Sequence, residues 1–298
     1  MKQTIRYTLS LTIGILVLLC LPLAASETGM IHLLNLTGAR QVAMGEVANL
    51  HDPDPFNLEY NPATITGLEH GRAGFSHNEF FLNWSTNSLA IIFPAAGYDF
   101  GVHLRVSSIG DIEARDETPT TDPLYLFDAT DFSGKAFIAK AVTPRLHIGA
   151  SAGLLLEKID VHRATALALG LGAVYKLDNG LAFHGSMANI GGDFSYISQK
   201  QSTPKIFRAG AGYHRKDLTL SADYVNIKSG DGHIHVGGEY FIDEMLFVRA
   251  GYQTGYDTRD ISAGAGFVYN NLRIDYAFVP YKNDLGTTHR FALTIALR

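Results

Sequence analysis

Leu246–Tyr252 reads LFVRAGY and Leu272–Phe278 reads LRIDYAF. In the first, Leu246, Val248, Ala250 and Tyr252 alternate with Phe247, Arg249 and Gly251, and Gln253 continues the second set. In the second, Leu272, Ile274, Tyr276 and Phe278 alternate with Arg273, Asp275 and Ala277. A period of two with one apolar side is the mark of a β-strand, because successive side chains point to opposite faces. The same pattern appears in Leu218–Asn226, where Leu218, Leu220, Ala222 and Tyr224 oppose Thr219, Ser221 and Asp223. It appears again in Tyr98–Ser108, where Tyr98, Phe100, Val102, Leu104 and Val106 oppose Gly101, His103, Arg105 and Ser107. Working outward from these, fourteen segments alternate between residues 71 and 297: 71–78, 83–93, 98–109, 133–142, 145–157, 162–176, 180–189, 205–214, 217–227, 232–241, 245–254, 260–269, 272–281 and 288–297. Most have the ~9–11 residues that a tilted strand needs to cross a bilayer.

The connections discriminate between a soluble sandwich and a membrane barrel. Short turns follow every second segment, at Pro94–Gly97, Thr143–Pro144, Leu177–Asn179, Arg215–Lys216, Ile242–Glu244 and Asn270–Asn271. Longer links fall between them at Gly110–Phe132, Ile190–Pro204, Gly255–Arg259 and Tyr281–Thr287, with Glu79–Leu82 a short exception. Outer-membrane barrels have short periplasmic turns and longer outer loops, and an even strand number. Aromatic strand ends (Tyr98, Phe183, Tyr213, Tyr224, Tyr240, Tyr252, Tyr269) suit a lipid–water boundary. The expected fold is therefore all-β, a transmembrane antiparallel barrel of about 14 strands. Its apolar side faces lipid and its polar side faces the lumen, the inverse of a soluble β-protein.

Export fits this reading. Lys2 and Arg6 precede an apolar run, Leu9–Leu19, and then the small residues of LPLAAS at Leu21–Ser26. This is the layout of a cleavable signal peptide over residues 1–26, shorter than the ~20 residues of a spanning helix. The one Cys, Cys20, lies within it, so disulfides are excluded. The chain has 298 residues, 24 Lys+Arg and 29 Asp+Glu; loss of Lys2 and Arg6 moves the net charge from −5 to −7 (22 against 29). Such a balance excludes a basic nucleic-acid binder. The expected location is the outer membrane of a Gram-negative-type bacterium, with its lipid as the surrounding partner.

Residues 27–70 do not alternate. They carry Gly38-Ala39-Arg40, Met44-Gly45, Asp52 and Asp54, each before a Pro, and Asn61-Pro62-Ala63. Gly permits close backbone approach, and Asn before Pro favours a turn or cap. A plug (hatch) segment over 27–70, ahead of a barrel over 71–298, is the expected organisation. A loose periplasmic leader is the alternative. Arg40 is the expected anchor, with Asp223, Glu239 and Asp275 as candidate wall partners.

The G-A-R, M-G, paired Asp and N-P-A elements before the first strand resemble the start of the PorV/PorQ family, which is related to FadL-type channels. The likeness continues through MANIGG at Met187–Gly192 and IDYAFVPYKNDLGTTHRFAL at Ile274–Leu293, and so spans nearly the whole mature chain. Departures are the DPDP at Asp52–Pro55 and the closing Arg298. The resemblance implies a plug lodged in the barrel and a non-enzymatic role, in some members as an accessory of type IX protein secretion with secretion proteins or exported cargo as partners. The alternative role is a FadL-like channel for hydrophobic small molecules such as fatty acids or hydrocarbons.

Chemistry-bearing motifs are sparse. His233 and His235 share a strand face with Glu239, which admits a metal pair but is equally the ordinary polar lining of a lumen. Ser186, His184 and Asn189 lie close in sequence without a G-x-S-x-G elbow. The G-x-G runs at Gly170–Gly172 and Gly264–Gly266 lie within strand patterns rather than before a helix, so they mark bends or close approach. No catalytic residue, metal site or cofactor is expected. His103, Arg105, His147, His184, Asp223, His233, His235, Glu239, Arg249, Arg273 and Asp275 are expected to line the lumen, pairing with one another or with the plug.

Overall fold

The computed structural model describes residues 29–117, 120–196, 199–227 and 230–297. The expected signal peptide and Arg298 lie outside the described residues. No helix among the described residues is long and apolar enough to cross a membrane; the chain crosses with strands. These are β1 (Arg72–Glu79), β2 (Trp84–Ala95), β3 (Tyr98–Ala114), β4 (Tyr125–Ala141), β5 (Leu146–Ile159), β6 (His162–Lys176), β7 (Leu181–Ile190), β10 (Ile206–Arg215), β11 (Leu218–Ile227), β12 (Gly232–Ile242), β13 (Leu246–Gln253), β14 (Ile261–Tyr269), β15 (Leu272–Pro280) and β16 (Thr287–Ala296). All fourteen pair antiparallel with their neighbours, and β1 pairs with β16 to close the barrel. Closure leaves no edge strand, which a lipid surround requires, since the hydrocarbon offers no partner for an open backbone group. The link between β7 and β10 carries a separate hairpin, β8 (Asp193–Tyr196) with β9 (Gln199–Ser202).

Two connections differ from the expectation. The stretch 110–132 is largely strand: β3 runs on to Ala114 and β4 starts at Tyr125. The pairing shifts register between Ile109 and Ile112, and Asp111 has φ 57°. A bulge of this kind breaks the strict alternation, so Ser107–Ala114 carries no clean period of two. At the same end of the barrel, β5 and β6 are joined by the two-residue turn Asp160–Val161, so the parity of short and long links is incomplete.

Burial follows the period of two. Leu89, Leu104, Leu154, Leu167, Leu220, Val236, Val248, Ile274, Phe291, Leu293 and Ile295 are exposed on the outside, whereas Ser88, His103, Arg105, Thr219, Asp223, Glu239, Arg249 and Asp275 are buried inside. An apolar outer band around a polar interior, closed without an edge, is the construction of an outer-membrane β-barrel.

The interior is occupied. From Met30 to Thr66 nearly every residue is buried, and this segment packs on the inward face of the wall. It holds one short helix, α1 (Ala39–Ala43), and 3-10 turns at Ile31–Leu34, Pro55–Glu59 and Pro62–Ile65. The last two begin at Pro, whose fixed φ and missing N–H suit a first helical position. Each is capped by the residue before: Asp54 Oδ1 accepts from Phe56 N–H at 2.9 Å, and Asn61 Oδ1 from Ala63 N–H at 2.9 Å. Helix α1 buries Ala39, Val42 and Ala43 with Phe56 against Ala90, Ala277, Val279 and Ala292 of the wall.

Small wall residues make room for this backbone. Gly45 has φ +75° and lies against β12 and β13, where an added Cβ would stand 2.8 Å from the Val236 carbonyl oxygen. Across from it, a Cβ on Gly251 would overlap the Gly45 amide, and one on Gly237 the Met44 carbonyl. Gly251→Ala is therefore expected to displace the Met44–Gly45 turn, at roughly 1–3 kcal/mol of overpacking. Faster hydrogen exchange over residues 43–48, with outer-membrane assembly retained, is the expected readout.

Candidate functional site: the filled lumen

Four Arg and four carboxylates form a continuous ion-pair layer between segment and wall. Arg40 donates from Nε and Nη2 to Glu239 at 2.9 and 2.7 Å, and from Nη1 to Asp52 at 2.7 Å. Arg249 donates to Glu239 at 2.6 Å and approaches Asp275 at 2.8 Å. Arg273 bonds Asp275 at 2.8 Å and also Asp54. Arg72 at the wall's start reaches Asp52 at 2.7 Å. Buried charges persist only when paired and hydrogen-bonded, and here each sign satisfies the other. Burial alone would raise the Asp54 carboxyl, but the adjoining Arg273 and Arg40 outweigh it and hold it below its ordinary value.

Of the three wall carboxylates considered for Arg40, Glu239 takes it. Asp275 serves Arg249 and Arg273 instead. Asp223 meets His184 at 2.9 Å and Arg208 at 3.3 Å, and accepts the Ala48 amide at 2.9 Å. Two further clusters hold the segment higher in the barrel. Glu46 receives Arg259 at 2.9 and 3.0 Å. Glu59 receives Arg105 at 3.0 Å and both the amide and hydroxyl of Thr37, at 3.0 and 2.8 Å. Burial pushes the Glu59 carboxyl up, while Arg105, His103, Lys135 and the Thr37 amide together bring it down to about 2.

The other residues singled out from the sequence separate by partner. His103 contacts Thr37 at 3.2 Å, and His147 contacts Thr66. His233 hydrogen-bonds the Thr254 carbonyl at 3.0 Å and stacks on Tyr256, while His235 bonds the Tyr256 hydroxyl at 3.0 Å. Glu239 is engaged with Arg40 and Arg249, so these three do not converge on one point. Ser186 donates to the Tyr60 carbonyl at 2.7 Å rather than to His184, and Asn189 accepts from Lys135 at 2.9 Å. Asn61 Nδ2 donates to the carbonyls of Ala173 and Gly185, at 3.1 and 3.2 Å.

Several lumen groups were not singled out. Arg208, Arg290 and Lys135 lie at inward positions of assigned strands, and parity alone would have found them. Glu46, Glu59 and Arg259 lie on non-alternating stretches that carry no such signal. Asp131 lies on the outer part of β4, within the 110–132 stretch whose alternation is broken.

The lumen is also apolar in places, and one such place adjoins the seam between β6 and β7. Met30, Leu33, Leu155, Ala164, Ala166, Ala168 and Phe194 form a buried cluster between the start of the segment, β5, β6 and the β8–β9 hairpin. Beside it, the β6–β7 pairing shifts register between Leu169 and Leu171. A pocket of about 10 Å³ lies there, lined by Tyr60, Lys135, Ser151, Gly170, Ser186 and Asn189 among others, room for about one water.

A closed, lipid-facing barrel of fourteen strands with charged walls and a filled lumen is an outer-membrane protein of the Gram-negative type. Its fold is that of the FadL-type channels. The toluene transporter TodX of Pseudomonas putida superposes with a TM-score of 0.63 at 14% identity, over 93% of this chain and 98% of that one. A FadL homologue of Pseudomonas aeruginosa gives 0.64 at 13% identity, over 88% and 98%. The monoaromatic hydrocarbon channel CymD gives 0.62 at 12%, over 90% and 97%. TodX is a transporter and CymD a channel. The sequence matches no protein-family model and no curated protein.

Proposed function

We propose that the protein is a channel for small hydrophobic molecules, with residues 27–70 as its plug. The observation that carries this reading is the apolar cluster inside the lumen. Barrel lumens are ordinarily polar, and Leu155 with the inward alanines of β6 departs from that rule beside the β6–β7 register shift. Apolar surface withdrawn from water there gains about 25 cal/mol per Å², so a hydrocarbon has a reason to enter where an ion has none. The register shift at Gly170 adjoins the cluster beside lipid-facing Leu169, and it is the point of the wall where a sideways route for such a solute would form. The segment fills the remaining lumen, so passage requires part of it to move. The hydrocarbon channels that share the fold support the same solute class.

The resemblance to the PorV/PorQ family implies the other role, assistance to protein secretion. No feature of the lumen favours it over solute passage, and secretion proteins copurifying after gentle extraction would be its support.

Uptake of toluene and of a long-chain fatty acid by cells making the barrel tests the proposal. Wild-type protein is expected to raise uptake of at least one above barrel-free cells. Leu155→Arg and Ala166→Arg are expected to cut that gain at least about tenfold, since an Arg in an apolar site costs more than the ~1.4 kcal/mol a factor of ten represents. No gain over barrel-free cells, or full gain with both variants folded, overturns the reading.

A further inference from the structure

The outer end of the lumen holds a group of side chains that neither the ion-pair layer nor the solute route uses. Asp131 on β4 and Glu157 on β5 are direct cross-strand partners on the inward face. Like charges directly opposite one another are destabilising, and among the described residues neither is ion-paired to Lys or Arg. The nearby cations are engaged elsewhere: Lys135 donates to Asn189 at 2.9 Å, and Arg105 to Glu59 at 3.0 Å and to the Asn35 carbonyl at 3.2 Å.

The third member comes from the N-terminal segment. His32 Nδ1 lies 3.0 Å from Asp131 Oδ2, and one donor atom from each of His32, Asp131 and Glu157 can be chosen so that all lie within 4.8 Å of one another. His32 is 5% exposed, yet neither ring nitrogen has an aligned hydrogen bond, and Asp131 Oδ1 also lacks a partner. Buried polar atoms without partners are rare enough to require a reason. One imidazole and two carboxylates around a single point supply three ligands of the kinds that bind zinc. Calcium takes six to eight oxygens, which this set does not offer.

We propose that His32, Asp131 and Glu157 form a divalent transition-metal site that latches the start of the N-terminal segment to the barrel wall. The metal removes the repulsion between the two carboxylates and takes the His32 ring as a ligand beside them. Because one ligand is on the segment and two are on the wall, occupancy joins them across 99 residues of chain (131 − 32).

The test uses the full mature barrel in detergent, stripped with a chelator and titrated with zinc chloride. One equivalent of zinc is expected to bind. His32→Gln and Asp131→Asn are each expected to weaken it at least about tenfold, the scale on which even outer-shell partners of a metal act. Zinc is also expected to slow proteolysis of residues 29–36 in the wild type and to leave His32→Gln unaffected. His32 is outside the barrel strands, so heat-modifiable migration of His32→Gln shows that a lost signal is not a lost fold. Absence of a stoichiometric site, zinc affinity unchanged in both variants, or calcium bound as tightly as zinc overturns the proposal.

Discussion

Arg40→Ala is expected to loosen residues 36–63 from the barrel wall by about 3–5 kcal/mol, the cost of removing one partner from a buried ion pair. Arg40 is 5% exposed and Glu239 4%. Its fork grips both Glu239 oxygens while its remaining nitrogen reaches Asp52. The layer holds Arg40, Arg72, Arg249 and Arg273 against Asp52, Asp54, Glu239 and Asp275, four of each sign, so the substitution leaves one uncompensated negative charge. Arg40→Lys keeps the charge but loses the two-pronged geometry, and should fall between the two. Adding Glu239→Gln to Arg40→Ala removes the stranded charge and should recover part of the loss, a coupling that a double-mutant cycle reads directly. The measurement is protease protection of residues 36–63 in the intact, heat-modifiable barrel. Protection unchanged in Arg40→Ala would show that the layer does not hold the segment.

The second large effect concerns lipid. An Arg on the outer face costs about 2–4 kcal/mol at the bilayer midplane and about 0–1 near the interfaces. Leu89 is exposed at the middle of β2, paired with Leu104. Leu220 is also exposed but lies two residues into β11, beside a short turn. Leu89→Arg is therefore expected to impair assembly by roughly 2–4 kcal/mol and Leu220→Arg by about 1 or less. Thr219 is the inward neighbour of Leu220, and its hydroxyl meets His214 at 3.0 Å, so a substitution there reports on internal packing rather than lipid. Equal costs for Leu89→Arg and Leu220→Arg in a refolding titration would place the membrane band elsewhere.

The strands were legible because a wall with two unlike environments forces a period of two on every residue. Leu246–Tyr252 and Leu272–Phe278 show it without any partner strand in view. Where a bulge breaks the period, as at Ile109–Ile112, the pattern falls silent, and the extensions of β3 and β4 were lost with it. The hairpin of β8 and β9 is too short to leave a period at all. The glycines show a different limit. Gly172, Gly237 and Gly251 are inward positions whose parity is readable, but Gly172 accommodates the side chains of Asn61 and Pro62 and the other two the Met44–Gly45 backbone, all from far earlier in the chain.

The sequence by itself determined the barrel, its strand number and the inward or outward facing of most wall residues, because these follow from local alternation. It also marked Asp54 and Asn61 as turn formers, since Pro acts on the residue next to it. Tertiary structure alone decided the partners: that Arg40 meets Glu239 and not Asp223, that Glu59 rests on Arg105, and that His32 faces Asp131 and Glu157. Each of these contacts joins residues far apart in the chain, and its geometry depends on the register of strands between them, which no local pattern encodes.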